Sequence, residues 1–149
     1  MRIGFTGSRD GFTSKQHNAF KKLLAKLGAT ELHHGDCVGA DAQAHAVAYS
    51  LDLDIFIHPP TDGRKRANCG DGAKQTPYLG TVKWFKPYPY LERNRHIVLA
   101  TEALIATPKE AEEQLRSGTW STVRFARKRR RPVYIILPSG KVVEERTRK

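Results

Sequence analysis

Short apolar segments alternate with amphipathic segments of helical length along most of this chain. The apolar segments predict strands at residues 2–6, 30–34, 54–58, 103–106 and 133–137. The segments between them predict helices at residues 13–27, 39–51, 90–100 and 119–130. Because alternating strands and helices form parallel sheets with helices on both faces, we expect an α/β fold. The specific expectation is one Rossmann-like, doubly wound parallel sheet of about five strands in the order 3-2-1-4-5.

The length of the chain, together with the lack of a linker-like segment that would divide it, predicts one domain over residues 1–149. No stretch approaches the roughly 18 apolar residues of a membrane span, and the first predicted strand begins at Arg2, which leaves no room for a signal peptide. We therefore expect a soluble, cytoplasmic protein without a membrane partner. Residues 61–90 are rich in proline and glycine and predict a long loop with a short hairpin around residues 82–85. Residues 142–143 predict an additional edge strand.

Three short glycine-containing motifs lie between predicted strands or loops and predicted helices, at residues 7–9, 35–39 and 117–119. A helix start presents unpaired N–H groups and a partial positive charge, and glycine lets a ligand approach the backbone closely. We therefore predict a phosphate-bearing ligand held mainly by backbone at the carboxyl edge of the sheet. The predicted ligand-binding residues are Gly7, Ser8, Arg9, Gly35, Asp36, Gly39, Asp41, Arg93, Arg95, Ser117, Gly118 and Thr119.

Individual roles follow from side-chain chemistry. Arg93 or Arg95 would clamp a phosphate, and Asp36 or Asp41 would contact ribose hydroxyls. Glu92 and Asp41 are the candidate catalytic carboxylates. The plain alternatives are a tight turn at residues 7–9, helix capping by Asp41 and by the residues of the 117–119 motif, and solvent-exposed arginines.

The histidine-rich segments do not predict a metal site. His33, His34, Asp36, Cys37 and His45 have no spacing typical of zinc ligands. The two cysteines, Cys37 and Cys69, also lack metal-type spacing and are expected to be reduced. We expect no metal and no required cofactor.

The positive charge of the chain is concentrated in its second half. The net charge is +11, from 26 basic and 15 acidic residues. Residues 1–63 hold 6 Lys/Arg and 7 Asp/Glu (−1), and residues 64–149 hold 20 and 8 (+12). This excess indicates an anionic partner, or alternatively a solvated basic face. The candidate nucleic-acid contacts form a stripe at helical spacing, Arg124, Arg127, Lys128 and Arg131, and Trp84, Phe85, Tyr88 and Tyr90 are the nearest candidates for base stacking.

Six motifs in a fixed order give the chain a family resemblance. They are Gly-Phe-Thr-Gly-Ser-Arg at 4–9, His-Gly-Asp-Cys-Val-Gly-Ala-Asp at 34–41, His-Pro-Pro at 58–60, Glu-Arg-Asn-Arg at 92–95, Ile-Ala-Thr-Pro at 105–108 and Arg-Ser-Gly-Thr-Trp at 116–120. Together they resemble the SLOG superfamily, which includes the DNA-processing protein A (Smf) proteins and the LOG "lysine decarboxylase-like" phosphoribohydrolases, and most resemble its small bacterial and phage members. The resemblance covers residues 2–138 and implies a Rossmann-like fold that binds nucleotides or their derivatives.

The chain departs from the enzymatic branch of that superfamily. LOG-type hydrolases carry a P-G-G-x-G-T-x-x-E segment, in which Gly118 and Thr119 match the G-T pair but Thr122 stands in the glutamate position. The resemblance therefore does not imply hydrolysis by the LOG mechanism. The likeness to DNA-processing protein A implies a capacity to bind single-stranded DNA.

The combined expectation is a module that binds a nucleotide or nucleotide-derived ligand, ADP-ribose-like or a nucleoside phosphate, as a sensor or sequestering protein. One alternative is an N-glycosidase or phosphoribohydrolase that uses the same site. Another is a single-stranded DNA-binding protein that uses the basic second half. A homo-oligomer is compatible with each of these.

Overall fold

The computed structural model describes residues 1–69 and 78–146, which form one mixed sheet and the helices that flank it. Within these residues the strands are β1 Arg2–Gly7, β2 Glu31–His34, β3 Asp54–Ile57, β4 Val82–Trp84, β5 Ala103–Thr107, β6 Val133–Ile136 and β7 Val142–Glu145. The α-helices are α1 Ser14–Lys26, α2 Ala40–Ser50, α3 Tyr90–Leu99 and α4 Gly118–Lys128, and a short 3-10 helix spans Gly63–Lys65.

The strand order is β4-β3-β2-β1-β5-β6-β7. The order predicted for the five inner strands is confirmed, and the edge strand predicted at residues 142–143 is present as β7. The described residues form seven strands rather than about five, because β4 also joins the sheet. All neighbours are parallel except β6 and β7, which are antiparallel. The hairpin predicted near residues 82–85 is also wrong: β4 pairs in parallel with β3, and the Asp54 carboxylate accepts the Thr81 N–H at 2.9 Å beside that pairing.

Local capping fixes where α1 begins. Thr13 and Gln16 form a capping box, since each side chain accepts the backbone N–H of the other residue. The Gln16 amide also donates to the carbonyl oxygens of Pro108 and Ile136, at 3.0 and 2.8 Å. This helix start is therefore tied to the β5 and β6 ends of the sheet by its own side chains.

Two apolar layers lie on opposite faces of the sheet. On one face α1 and α2 bury Phe20, Leu24 and Ala44 against alternate strand residues such as Phe5 and Ile105. On the other face α3 and α4 bury their apolar side chains against the intervening strand residues. The members of this second layer are Val98, Leu104, Ala106, Trp120, Val123, Ala126, Val133 and Ile135. The alternation follows from the two-residue period of a strand.

The winding of the chain reverses between β1 and β5, which places the β1 and β5 carboxyl ends at a switch point. The predicted loop at residues 61–90 contains β4, the 3-10 helix and the first residue of α3, while its part at residues 70–77 lies outside the described residues. Leu91, the second residue of α3, is 59% exposed. None of the helices in the described ranges is long and apolar enough to cross a membrane.

Candidate ligand-binding crevice

A crevice of about 520 Å³ opens at the switch point, between the loop that follows β1 and the start of α4. The loop is held to β5 by the Ser8 N–H, which donates to the Thr107 carbonyl at 3.2 Å. The lining residues are Gly7, Ser8, Arg9, Asp10, Tyr90, Leu91, Lys109, Glu110, Leu115, Arg116, Ser117, Gly118, Thr119 and Ser121. The structure thus brings together six of the predicted site residues, those of the 7–9 and 117–119 motifs.

The start of α4 forms one wall of the crevice. Ser117 is the N-cap, and its hydroxyl accepts the Trp120 N–H at 3.2 Å. Gly118 packs directly on Tyr90: a Cβ at this position would overlap the Tyr90 hydroxyl and lie 2.7 Å from Cζ. A side chain at position 118 would therefore have to displace the Tyr90 ring. The N–H groups of Gly118 and Thr119, which precede the first intrahelical hydrogen bond, lie beside the crevice and favour an anion.

Three cationic side chains border the crevice, and sequence reasoning assigned a ligand role only to Arg9. Lys109 and Arg116 were missed, although Arg116 directly precedes the 117–119 motif. Lys109 pairs with Asp10 at 2.8 Å, and this pair is exposed. The ammonium group lowers the pKa of Asp10 through a hydrogen bond and its charge, and the carboxylate raises the pKa of Lys109. The lining contains these three cations and two acids, Asp10 and Glu110, so its net charge is +1.

The 35–39 motif lies beside this crevice but does not line it. Gly39, the N-cap of α2, has φ 91° and packs on the Arg9 backbone. The first N–H of α2, on Ala40, donates to the Ser8 carbonyl at 2.9 Å. The start of α2 is therefore occupied by the β1 loop, and α4 contributes the helix start that borders the crevice.

Asp36 is fully buried and engaged in structure. Its carboxylate pairs with Arg66 at 2.9 Å and accepts the Cys69 N–H at 2.8 Å. Its backbone is in the left-handed region, with φ 56°. Asp36 thus anchors residues 66–69, which are not among the residues that line the crevice.

Asp41 and Arg93 line a separate cavity of about 30 Å³ that shares Arg9 and Tyr90 with the crevice. Burial raises the pKa of Asp41 to about 6, against the lowering effects of the Arg93 charge and of hydrogen bonds from backbone N–H groups. Arg93 is itself buried. Its guanidinium donates to the carbonyl oxygens of Gly35 and His58, to the Asn94 side chain and to the Cys37 sulfur.

Glu92 and Arg95 lie on exposed parts of α3, outside the crevice lining. The Arg95 guanidinium sits 5.4 Å from the centre of the Phe125 ring on α4. Thr122, in the position of the LOG glutamate, is buried, and its hydroxyl donates to the Gly118 carbonyl at 2.9 Å. In this sequence that position bonds back to the first turn of α4 and offers no carboxylate.

Three potential metal ligands, His34, His45 and Cys69, lie within 4.8 Å of one another beneath α2. The hydrogen bonds assign the histidine protons: Asp36 N–H donates to His34 Nδ1, so neutral His34 carries its proton on Nε2 and donates it to His45 Nδ1. The two nitrogens that face each other, His34 Nε2 and His45 Nδ1, are therefore already engaged in a hydrogen bond with each other. Burial lowers the pKa of both histidines and raises that of Cys69. The expectation of no metal stays a prediction.

The basic stripe on α4 is largely engaged within the molecule. Arg124 and Arg127 pair with carboxylates, and Arg131 donates to a backbone carbonyl, while Lys128 is exposed. The partners are Glu113 for Arg124 at 3.2 Å, Glu113 and Glu145 for Arg127 at 2.8 Å each, and the Thr101 carbonyl for Arg131 at 3.0 Å. Two of the four charges in the predicted stripe thus balance nearby acids.

Two solved structures have a similar fold. The molybdenum cofactor binding protein from the phototrophic bacterium Rippkaea orientalis matches with a TM-score of 0.65 and 21% identity, over 91% of this chain and 75% of that one. DNA processing protein A (DprA) from Streptococcus pneumoniae matches with a TM-score of 0.65 and 20% identity, over 90% of this chain and 49% of DprA. This chain therefore spans about half the length of DprA.

No protein-family model and no curated protein sequence matches the chain. At 20–21% identity the structural likeness shows a shared fold. It confirms the predicted α/β, Rossmann-like architecture and is consistent with the SLOG resemblance of the sequence.

Proposed function

We propose that this chain binds a nucleotide or nucleotide-derived ligand in the crevice, with a phosphate group at the first turn of α4. The observation that carries the proposal is the meeting of that helix start with Arg9, Lys109 and Arg116 in one opening. A helix start and guanidinium groups are both suited to phosphate oxygens. The volume of about 520 Å³ falls within the range of small-molecule sites.

We propose binding without chemistry, as in a sensor or sequestering protein. The carboxylates that border the crevice are Asp10, which is paired with Lys109, and Glu110. Asp41 has the raised pKa of a candidate acid, but its cavity of about 30 Å³ has room for roughly one or two waters. The two structural neighbours are named for a cofactor and for DNA, which supports a ligand-binding role for this fold.

Calorimetry and thermal unfolding with AMP, ADP, ADP-ribose and adenosine test the proposal. We expect the phosphate-bearing compounds to bind and adenosine to bind at least tenfold more weakly, because the α4 start contacts phosphate. A ligand at 100 times its dissociation constant adds about 2.7 kcal/mol of stability, which is a rise in Tm of roughly 5–10 °C for a chain of this size.

Matched variants locate the site. Arg116→Gln should weaken AMP binding about tenfold, because it removes one charge-assisted contact. Arg129→Gln, an exposed arginine at the far end of α4, should leave the affinity unchanged. Binding that is equal for AMP and adenosine, or that is insensitive to Arg116→Gln, would contradict the phosphate assignment. Release of free adenine from AMP would favour the N-glycosidase alternative.

A further inference from the structure

A groove of about 450 Å³ lies between α1 and the turn that joins β6 to β7. Its lining combines exposed lysines of α1 with apolar residues of α1 and β7. We define the lysine groove by Lys15, Lys22 and Lys26, together with Ala19, Leu23 and Val142. The three lysines are seven and four residues apart, intervals that keep them on one face of the helix. Val142 is 39% exposed, so part of the apolar lining is open to solvent.

Direct contacts hold the two walls of the lysine groove together. The Thr13 hydroxyl, at the start of α1, donates to the Pro138 carbonyl at 2.9 Å. Gly140, in the turn between β6 and β7, has φ 90° and packs on α1: a Cβ there would lie 3.1 Å from the Lys15 Cβ and 3.2 Å from the Lys15 carbonyl oxygen. The groove is therefore already formed in the free protein, which reduces the ordering cost of binding a partner.

The positive charge of the lysine groove is not balanced by nearby acids. The helix α1 carries four lysines and no Asp or Glu. In the described part of the chain, no ion pair involves the three groove lysines. Glu144, which lies on the same side of β7 as Val142, is already bonded to Arg146. Lys15 also stands in the first turn of α1, where the partial positive charge of the helix disfavours a cation. The groove therefore favours an anionic occupant.

We propose that the lysine groove is a docking site for an acidic, amphipathic helix of a partner protein. Apolar side chains on one face of that helix would pack on Ala19 and Val142, and the carboxylates beside them would pair with the groove lysines. From Lys15 to Lys26 the helix α1 rises about 16 Å, which is about three turns. A row of cations of that length matches a partner segment with several acids better than a small ligand with one.

Other occupants match the lysine groove less well. Among its described lining residues there is no aromatic ring on which a nucleic-acid base could stack. A second copy of this chain, related by a two-fold axis at the groove, would bring the lysines of both copies together. The groove and the nucleotide crevice have no lining residue in common, so this proposal goes beyond the proposed nucleotide binding.

Fluorescence anisotropy with three labelled, end-capped peptides of about 15 residues, roughly 22 Å as a helix, tests the proposal. The first peptide has leucines at helical spacing with glutamates beside them, the second replaces each leucine with serine, and the third replaces each glutamate with lysine. We expect the first to bind and the other two to bind at least about tenfold more weakly, because each lacks one of the two interactions. Added salt should weaken the first complex, because exposed ion pairs are screened.

Two adjacent lysines of α1 provide a matched pair of variants. Lys22→Glu and Lys21→Glu change the net charge equally, but only Lys22 lines the groove. Lys22→Glu should weaken binding of the first peptide about tenfold, and Lys21→Glu should change it less than about twofold. Val142→Ser should weaken binding about fivefold and leave its salt dependence unchanged, since it removes only an apolar contact.

Several outcomes would overturn the proposal. One is a wild type that does not bind the first peptide at about 1 mM. Another is an equal loss in Lys21→Glu and Lys22→Glu, which would indicate nonspecific attraction to the net charge of +11. Equal binding of the serine peptide would show that the apolar lining plays no part. A dimer, or a complex with oligothymidine, that is lost in Lys22→Glu while the peptide does not bind would assign the groove to a second copy or to nucleic acid. Circular dichroism verifies that each variant is folded.

Discussion

Replacing Gly39 with alanine tests how tightly the β1 loop closes over the start of α2. Gly39 has φ 91° and ψ −126°, a conformation that residues with a Cβ rarely adopt. A Cβ built there would lie 2.5 Å from the Arg9 carbonyl carbon and overlap its oxygen. Because these are backbone atoms, the contact is relieved only by moving the loop that carries Ser8 and Arg9.

The expected cost has a matched reference within the chain. Gly28 also has a positive φ, 63°, but a Cβ there would meet nothing within 4 Å. Gly28→Ala should therefore cost only the conformational strain, about 1 kcal/mol. Gly39→Ala adds the steric clash and weakens the 2.9 Å hydrogen bond from Ala40 N–H to Ser8. We expect about 3 kcal/mol or more for Gly39→Ala.

Urea unfolding of both variants, with equal m-values, measures the two costs. A loss of 3 kcal/mol corresponds to a fall in Tm of about 6–12 °C for a chain of this size. Nucleotide affinity should fall only in Gly39→Ala, since only that change displaces Arg9. If the two substitutions cost the same within about 0.5 kcal/mol, the close packing of the loop on α2 would be refuted.

Two further predictions concern a cap and a buried imidazole. Ser117→Ala should cost about 1 kcal/mol in urea unfolding, whereas Ser117→Thr should keep most of the cap; equal losses would contradict the capping role. Burial, with the charges of His33 and Arg93, lowers the pKa of His58 from 6.5 to about 3. Below pH 6.5 the unfolded chain binds a proton on His58 that the folded chain does not, so the free energy of unfolding falls as the pH drops towards 3. The loss relative to neutral pH is about 2 kcal/mol at pH 5. His58→Gln should remove that part of the pH dependence, and an unchanged profile would contradict it.

The inner strands could be predicted because each is a short, continuous run of apolar residues that is visible in the sequence itself. Every residue of β5 and β6 is buried, as expected for central parallel strands. In contrast, β4 has three residues in a proline-rich segment, and its parallel pairing depends on contacts with β3 about 27 positions earlier in sequence. The sequence pattern favoured a local hairpin because short-range spacing carries no information about such distant pairing.

The site was predictable where its geometry follows from strand order. The 7–9 and 117–119 motifs meet because they follow β1 and precede α4 at the switch point. Arg93 could have been distinguished from Arg95, because Arg93 lies four residues before buried Ile97 and so shares its helix face. The packing of Gly39 on Arg9 and the pairing of the α4 arginines with acids depend on tertiary contacts, which no local motif reveals.

The two borders of the sheet have a consequence for self-association. At one border β4 offers only three residues and is followed by Pro87 and Pro89, which have no N–H to donate. At the other, β7 carries Glu144 and Glu145, which bind Arg146 and Arg127. A strand added beside β4 would find only three residues to pair with before the prolines, and a strand added beside β7 would meet the ion-paired side chains of Glu144 and Glu145. Growth of the sheet into fibrils by strand addition is therefore disfavoured at both ends.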